Sequence, residues 1–73
     1  MIKVLFFGMV ADEVGKQLMQ VRAGQSLEAL ITELGCADIK PLLIAVNQEQ
    51  VNDLSLILKS GDEVALMPPF SGG

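Results

Sequence analysis

The sequence predicts an α+β domain, a mixed sheet of four to five strands with one main helix packed on one face. Three stretches carry that expectation. Met1–Gly8 is rich in β-branched and aromatic residues and apolar on both alternating faces, which suits a strand inside a sheet. Leu27, Leu30, Ile31 and Leu34 recur at helical spacing and make one apolar stripe. Glu63–Met67 is a second apolar strand, halted where Pro68 and Pro69 cannot donate to a ladder.

Taken in order, the first strand puts Ile2, Val4 and Phe6 on one face and Lys3, Leu5 and Phe7 on the other. Met9–Lys16 is a connection with room for one short helical turn. Gln17–Val21 is the second strand, and a connection of that length makes the first two strands a hairpin with a long loop. Ser26 is placed to cap a helix, Glu28 to sit at its positive end, and Gly35 to close it at C′. This is the only helix the pattern predicts outright. Cys36–Lys40 connects to Leu42–Val46, a short and fully apolar strand. Asn47–Glu49 is a turn, because Asn tolerates a left-handed backbone, and Gln50–Val51 is a short return strand. Leu54, Leu56 and Leu58 alternate through an irregular stretch and are expected to seal the core edge. Lys59–Asp62 turns into the last strand. Placing the first and last strands side by side at the centre gives the β-grasp arrangement. The domain is assigned to residues 1–67 and an extended tail to residues 68–73.

A chain of 73 residues has a small core, and this one has no staple: Cys36 is its single cysteine and it has no histidine. A lone thiol forms no internal disulfide, which fits a reducing, cytoplasmic setting. The start shows no secretory pattern, and no apolar run is long enough to span a bilayer. The net charge of −4, the dispersed bases and the absence of Trp and Tyr argue against nucleic-acid binding. An acidic surface suits a partner with a basic face, or simple solubility.

Chemical machinery is sought and not found. Without histidine there is neither a Cys–His nucleophile nor a zinc cluster, so no metal site is expected. Gly15-Lys16 fails as a phosphate loop, since Gln17 stands where a Ser or Thr would hold magnesium. Asp12-Glu13 and Asp62-Glu63 read as solvated turn acids rather than acid–base pairs. Cys36 reads as a small, partly buried hydrophobe, because a reactive thiol needs positive charge nearby.

What remains is the end of the chain, Pro68-Pro69-Phe70-Ser71-Gly72-Gly73. The prolines favour a stiff extended lead. Gly72 and Gly73 have no side chains and pass through a channel too narrow for other residues. A stiff lead with a bare end presents the terminal carboxylate to another protein's active site. Phe70 is either an anchor against that partner or a cap over the domain's own core edge. One of Phe6 and Phe7 belongs to the core while the other is free to meet a partner; Phe7 is the interface candidate, with Pro68, Pro69 and Phe70.

The opening Met1-Ile2-Lys3-Val4-Leu5-Phe6-Phe7, the segments Ala45-Val46-Asn47-Gln48 and Gly61-Asp62-Glu63-Val64-Ala65, and above all the Pro-Pro-Phe-Ser-Gly-Gly ending resemble the small subunit of molybdopterin synthase. That family is a ubiquitin-like β-grasp sulfur carrier, and the resemblance runs over the whole chain. It implies that Gly73 is adenylated by an E1-like enzyme that consumes ATP and is then converted by a sulfur donor to a thiocarboxylate. Ser71, Gly72 and Gly73 would thread into the large subunit, where the sulfur passes to a cyclic pyranopterin phosphate. It also implies a heterotetramer with a large-subunit dimer at its centre, and no cofactor bound by this chain itself. A carrier for thiazole or cysteine synthesis and a ubiquitin-like protein modifier share the Gly-Gly end; the Pro-Pro pair points to the molybdopterin branch. A β-grasp interaction module whose Gly-Gly has no chemical role is the reading of another class.

Overall fold

A computed structural model describes residues 1–39 and 41–69. The elements run β1 (Ile2–Phe6), α1 (Gly8–Val14), β2 (Leu18–Val21), α2 (Leu27–Glu33), β3 (Leu43–Val46), β4 (Glu49–Gln50) and β5 (Glu63–Met67). The strands form one sheet in the order β2-β1-β5-β3-β4. β1 and β5 are parallel, with Val4 opposite Val64, and the other pairs are antiparallel. The two chain-terminal strands thus lie side by side within the sheet, as the β-grasp arrangement requires.

Alternation sorts β1 cleanly. Ile2, Val4 and Phe6 are buried, and they join Val64, Leu66, Ile44 and Val46 on one face of the sheet. Leu27, Leu30 and Ile31 of α2 complete the core with Val10, Cys36 and Leu58. Cys36 is fully buried, and burial pushes its thiol up from its ordinary range, consistent with a packing role.

Both ends of α2 are closed by the fold. Ser26 Oγ accepts from the Ala29 N–H at 3.1 Å. The Leu27 and Glu28 N–H groups donate to the carbonyls of Leu56 and Leu54 at 2.8 and 2.9 Å. At the other end Gly35 takes φ +77; its N–H reaches Thr32 O at 3.1 Å and the Cys36 N–H reaches Ile31 O at 3.0 Å, the paired bonds of a Schellman ending.

Two expectations are corrected. Residues 8–14 form a helix of 7 residues rather than one short turn, so the described residues hold two helices. No side chain caps α1; it stands because Val10 is buried, Ala11 and Val14 pack on the core, and Gly15 closes it at φ +83 with an N–H bond to Ala11 O. Asp12 and Glu13 are accordingly exposed helix residues, not turn residues. The second correction is at the 54–58 stretch: Leu58 is fully buried, but Leu54 and Leu56 are exposed. Leu54 and Leu56 serve α2 through their carbonyls instead, and of the three leucines Leu58 alone packs in the core.

Asn47 and Gln48 both take positive φ, +53 and +71, in the β3–β4 turn. Asn47 then ties that turn to β5: its Nδ2 donates to Asp62 Oδ1 and its Oδ1 accepts from the Glu63 N–H, both at 3.0 Å. Asp62 Oδ2 accepts from the Lys59 N–H at 2.8 Å. These bonds, Asn47 first, hold the Asp62 carboxyl below the usual carboxylate range. A depressed folded pKa stabilises the fold above the unfolded value near 3.8, and that contribution is lost as pH falls through the folded value. Urea midpoints recorded from pH 7 downward should therefore show the wild type ahead of Asp62→Asn at neutral pH, with the gap closing below about pH 4. A gap that does not change with pH would mean the carboxylate charge is not what the network uses.

Candidate functional site: the open sheet face and the root of the tail

Both helices contribute their buried residues to one side of the sheet, which leaves the other side open among the described residues. Register defines what lies there. Leu18, Leu5, Ala65 and Ala45 are cross-strand neighbours in one row through β2, β1, β5 and β3. Met67 and Leu43 pair in the next position toward the C-terminal end of β5, and Phe7 follows Leu5 on the same side of β1. Toward the other end the same face turns polar, with Gln20, Lys3 and Glu63 in register. Phe7 is 47% exposed and Leu18 52%, while Phe6 is 2% exposed. The core member of the Phe6–Phe7 pair is Phe6, and Phe7 is a surface side chain. Single exposed apolar residues are ordinary, whereas a contiguous apolar face is the kind of surface that marks interaction sites.

The tail starts from this face. β5 ends at Met67, and Pro68 and Pro69 are half-buried. The Phe7 N–H donates to Leu66 O at 3.0 Å, so the end of β5 is bonded to the residue that opens α1. Phe70, Ser71, Gly72 and Gly73 lie outside the described residues. Among the described residues no group of three His, Cys, Asp or Glu could hold a metal ion, and no helix is long and apolar enough to cross a membrane. Sequence reasoning named Phe7 and the prolines but not Leu5, Leu18, Leu43, Ala45, Ala65 and Met67. The signal was present in the doubly apolar character of β1 and β5, which reads as burial on both faces until the helices are placed.

A five-stranded mixed sheet with α2 across one face and its last strand running into a short terminal segment defines a ubiquitin-like β-grasp protein. The chain belongs to the ThiS family, which matches residues 4–73. It is 34% identical to the molybdopterin synthase sulfur carrier subunit of Homo sapiens, over 99% of this chain and 93% of that one. The corresponding subunit of Chlamydomonas reinhardtii is 36% identical over 99% of this chain and 98% of its own length. Among solved structures, the complex of subunits 1 and 2 of molybdopterin-converting factor from Helicobacter pylori contains a chain with the same fold. It has a TM-score of 0.69 and 27% identity, over 99% of this chain and 97% of that one.

Proposed function

We propose that this chain is the sulfur carrier of a molybdopterin synthase and that Gly73 is its reactive residue. The observation that carries the reading is the similarity to carrier subunits along nearly the entire chain, together with a family match that extends through residue 73. In this reading the Gly73 carboxylate attacks the α-phosphate of ATP on an E1-like adenylating enzyme, and pyrophosphate leaves. A carboxylate acylates poorly, and the adenylate supplies a good leaving group. A sulfur nucleophile delivered by a donor protein attacks the acyl carbon, AMP departs, and a thiocarboxylate remains. The loaded end enters the large subunit of the synthase in the cytoplasm and gives its sulfur to a cyclic pyranopterin phosphate. Ser71, Gly72 and Gly73 thread the channel. ATP belongs to the adenylating enzyme; this chain supplies only the acyl group.

The open face is the docking surface of this reading, with Phe7, Pro68 and Pro69 at its tail end; Phe70 is the next residue along the chain and is assigned to the same partner by the carrier reading. Phe7→Ala is expected to raise the Kd for the large subunit at least tenfold, about 1.4 kcal/mol, because exposed aromatic anchors dominate such interfaces. Its thermal unfolding should stay close to wild type, since half the side chain is already in water. An equal loss of stability with unchanged affinity would return Phe7 to a structural role.

The reading is tested by intact mass after incubation with ATP, a sulfur source and the E1-like enzyme of the same cell. A shift of one oxygen-to-sulfur exchange localised to Gly73 supports a carrier. No shift with a demonstrably active enzyme, or lysine conjugates in its place, overturns it.

A further inference from the structure

The tail leaves the domain across the first turn of α1. Gly8 has φ +56, and a Cβ built on it would lie 3.0 Å from Cγ and 3.2 Å from Cδ of Pro68. The proline ring therefore rests against the bare side of Gly8. The seat is firm on both sides. The Phe7 N–H holds Leu66 O at 3.0 Å, two residues before the ring, and the Val10 N–H holds Phe7 O at 3.1 Å, fixing the first turn of α1. Pro68 also precedes Pro69, which confines it to an extended conformation. A ring that is seated and cannot turn gives its direction to the chain that follows.

We infer that Gly8 is a positioning residue for the tail: by leaving room for the Pro68 ring, it sets the direction in which the C-terminal end leaves the domain. The inference rests on the carrier reading for its functional consequence. An extended arm of five residues at about 3.3 Å each would carry a turn of about 10° at Pro68 to a displacement of about 3 Å at its end. Misplacements of that size at a reacting atom cost about a hundredfold or more in rate.

The experiment is a double-mutant cycle between Gly8→Val and Pro68→Ala. It reads single-turnover sulfur transfer from the loaded chain in the complete synthase, and the Kd for the large subunit. Gly8→Val is expected to slow transfer by about tenfold or more while the Kd stays within about threefold. In the Pro68→Ala background the ring atoms that the new side chain meets are gone, and the loss should shrink to about threefold or less. A loss of the same size in both backgrounds would assign it to backbone strain at φ +56 and overturn the inference, as would a loss confined to Kd. Gly8→Ala, which adds the Cβ alone, carries the same cycle at smaller amplitude if the valine variant does not fold. Residual dipolar couplings of the tail amides, taken on the isolated chains, read the seat without any chemistry. A change in Gly8→Val that reverses in the double variant supports it, and unchanged couplings overturn it. A wild-type chain that never loads sulfur defeats the carrier reading alone.

Discussion

One residue added after Gly73 is expected to abolish sulfur loading and to leave the domain folded. The added residue converts the Gly73 carboxylate into an amide carbonyl, which cannot attack a phosphate, and moves the free carboxylate one position outward. In the carrier reading, a channel that admits a bare backbone would then meet a Cβ if the added residue is alanine. The described fold has no stake in the change: β5 ends at Met67, and among the described residues every buried core residue lies at or before Leu66. Intact mass should show no sulfur on the extended chain after an incubation that fully converts the wild type. Its circular dichroism and urea midpoint should match wild type within about 0.5 kcal/mol, the usual range for a change remote from packing. An extended chain that loads normally would show that the terminal carboxylate is not the reacting group.

Leu30→Ala is expected to remove a large share of the domain's stability, about 2–5 kcal/mol. Leu30 is fully buried in the middle of α2, at the centre of the core made with β1, β3 and β5. Alanine is the better helix former, so the loss reports packing and the cavity left behind, not helix propensity. A domain of this size holds about 4–11 kcal/mol in total, at about 0.05–0.15 kcal/mol per residue. With about 4–8 °C per kcal/mol for domains of this size, thermal unfolding should fall by about 10 °C or more. Thr32→Ala, exposed on the same helix, serves as the control and should stay within about 0.5 kcal/mol. A small loss at Leu30 would mean that neighbouring side chains collapse into the space.

The sheet was legible because its strands have strong local patterns. β1 alternates between buried residues and residues that are exposed or half-buried, and the turn residues fall where positive φ is needed, at Asn47, Gly35 and Gly61. α2 was legible from its stripe and from Ser26, whose hydroxyl makes the expected cap. α1 was not, and the reason is physical. It opens on glycine after an uncapped phenylalanine, lacks an acid in its first turn, and is held by tertiary contacts of Val10, Ala11 and Val14. Their spacing of one and three was the single available sign. The open face was obscured in the same way, since apolar residues on both sides of a strand look alike until the helices are known to share one side. Leu54 and Leu56 misled through an alternation that serves no face; it is their carbonyls that the fold uses.

The pairing of β1 with β5 brings together residues from opposite ends of the chain, with Val4 beside Val64. Strands so distant in sequence zip late and slowly, because the whole intervening loop must close first. While the protein is being made, β5 leaves the ribosome after the other described strands, so β1 waits without its central neighbour until β5 emerges. A chain cut short before β5 lacks the middle of its sheet and is left for proteolysis as an unfolded fragment. The same placement that launches Pro68 from the centre of the sheet thus couples folding to translation through β5: chains that fold are chains whose synthesis has passed Met67.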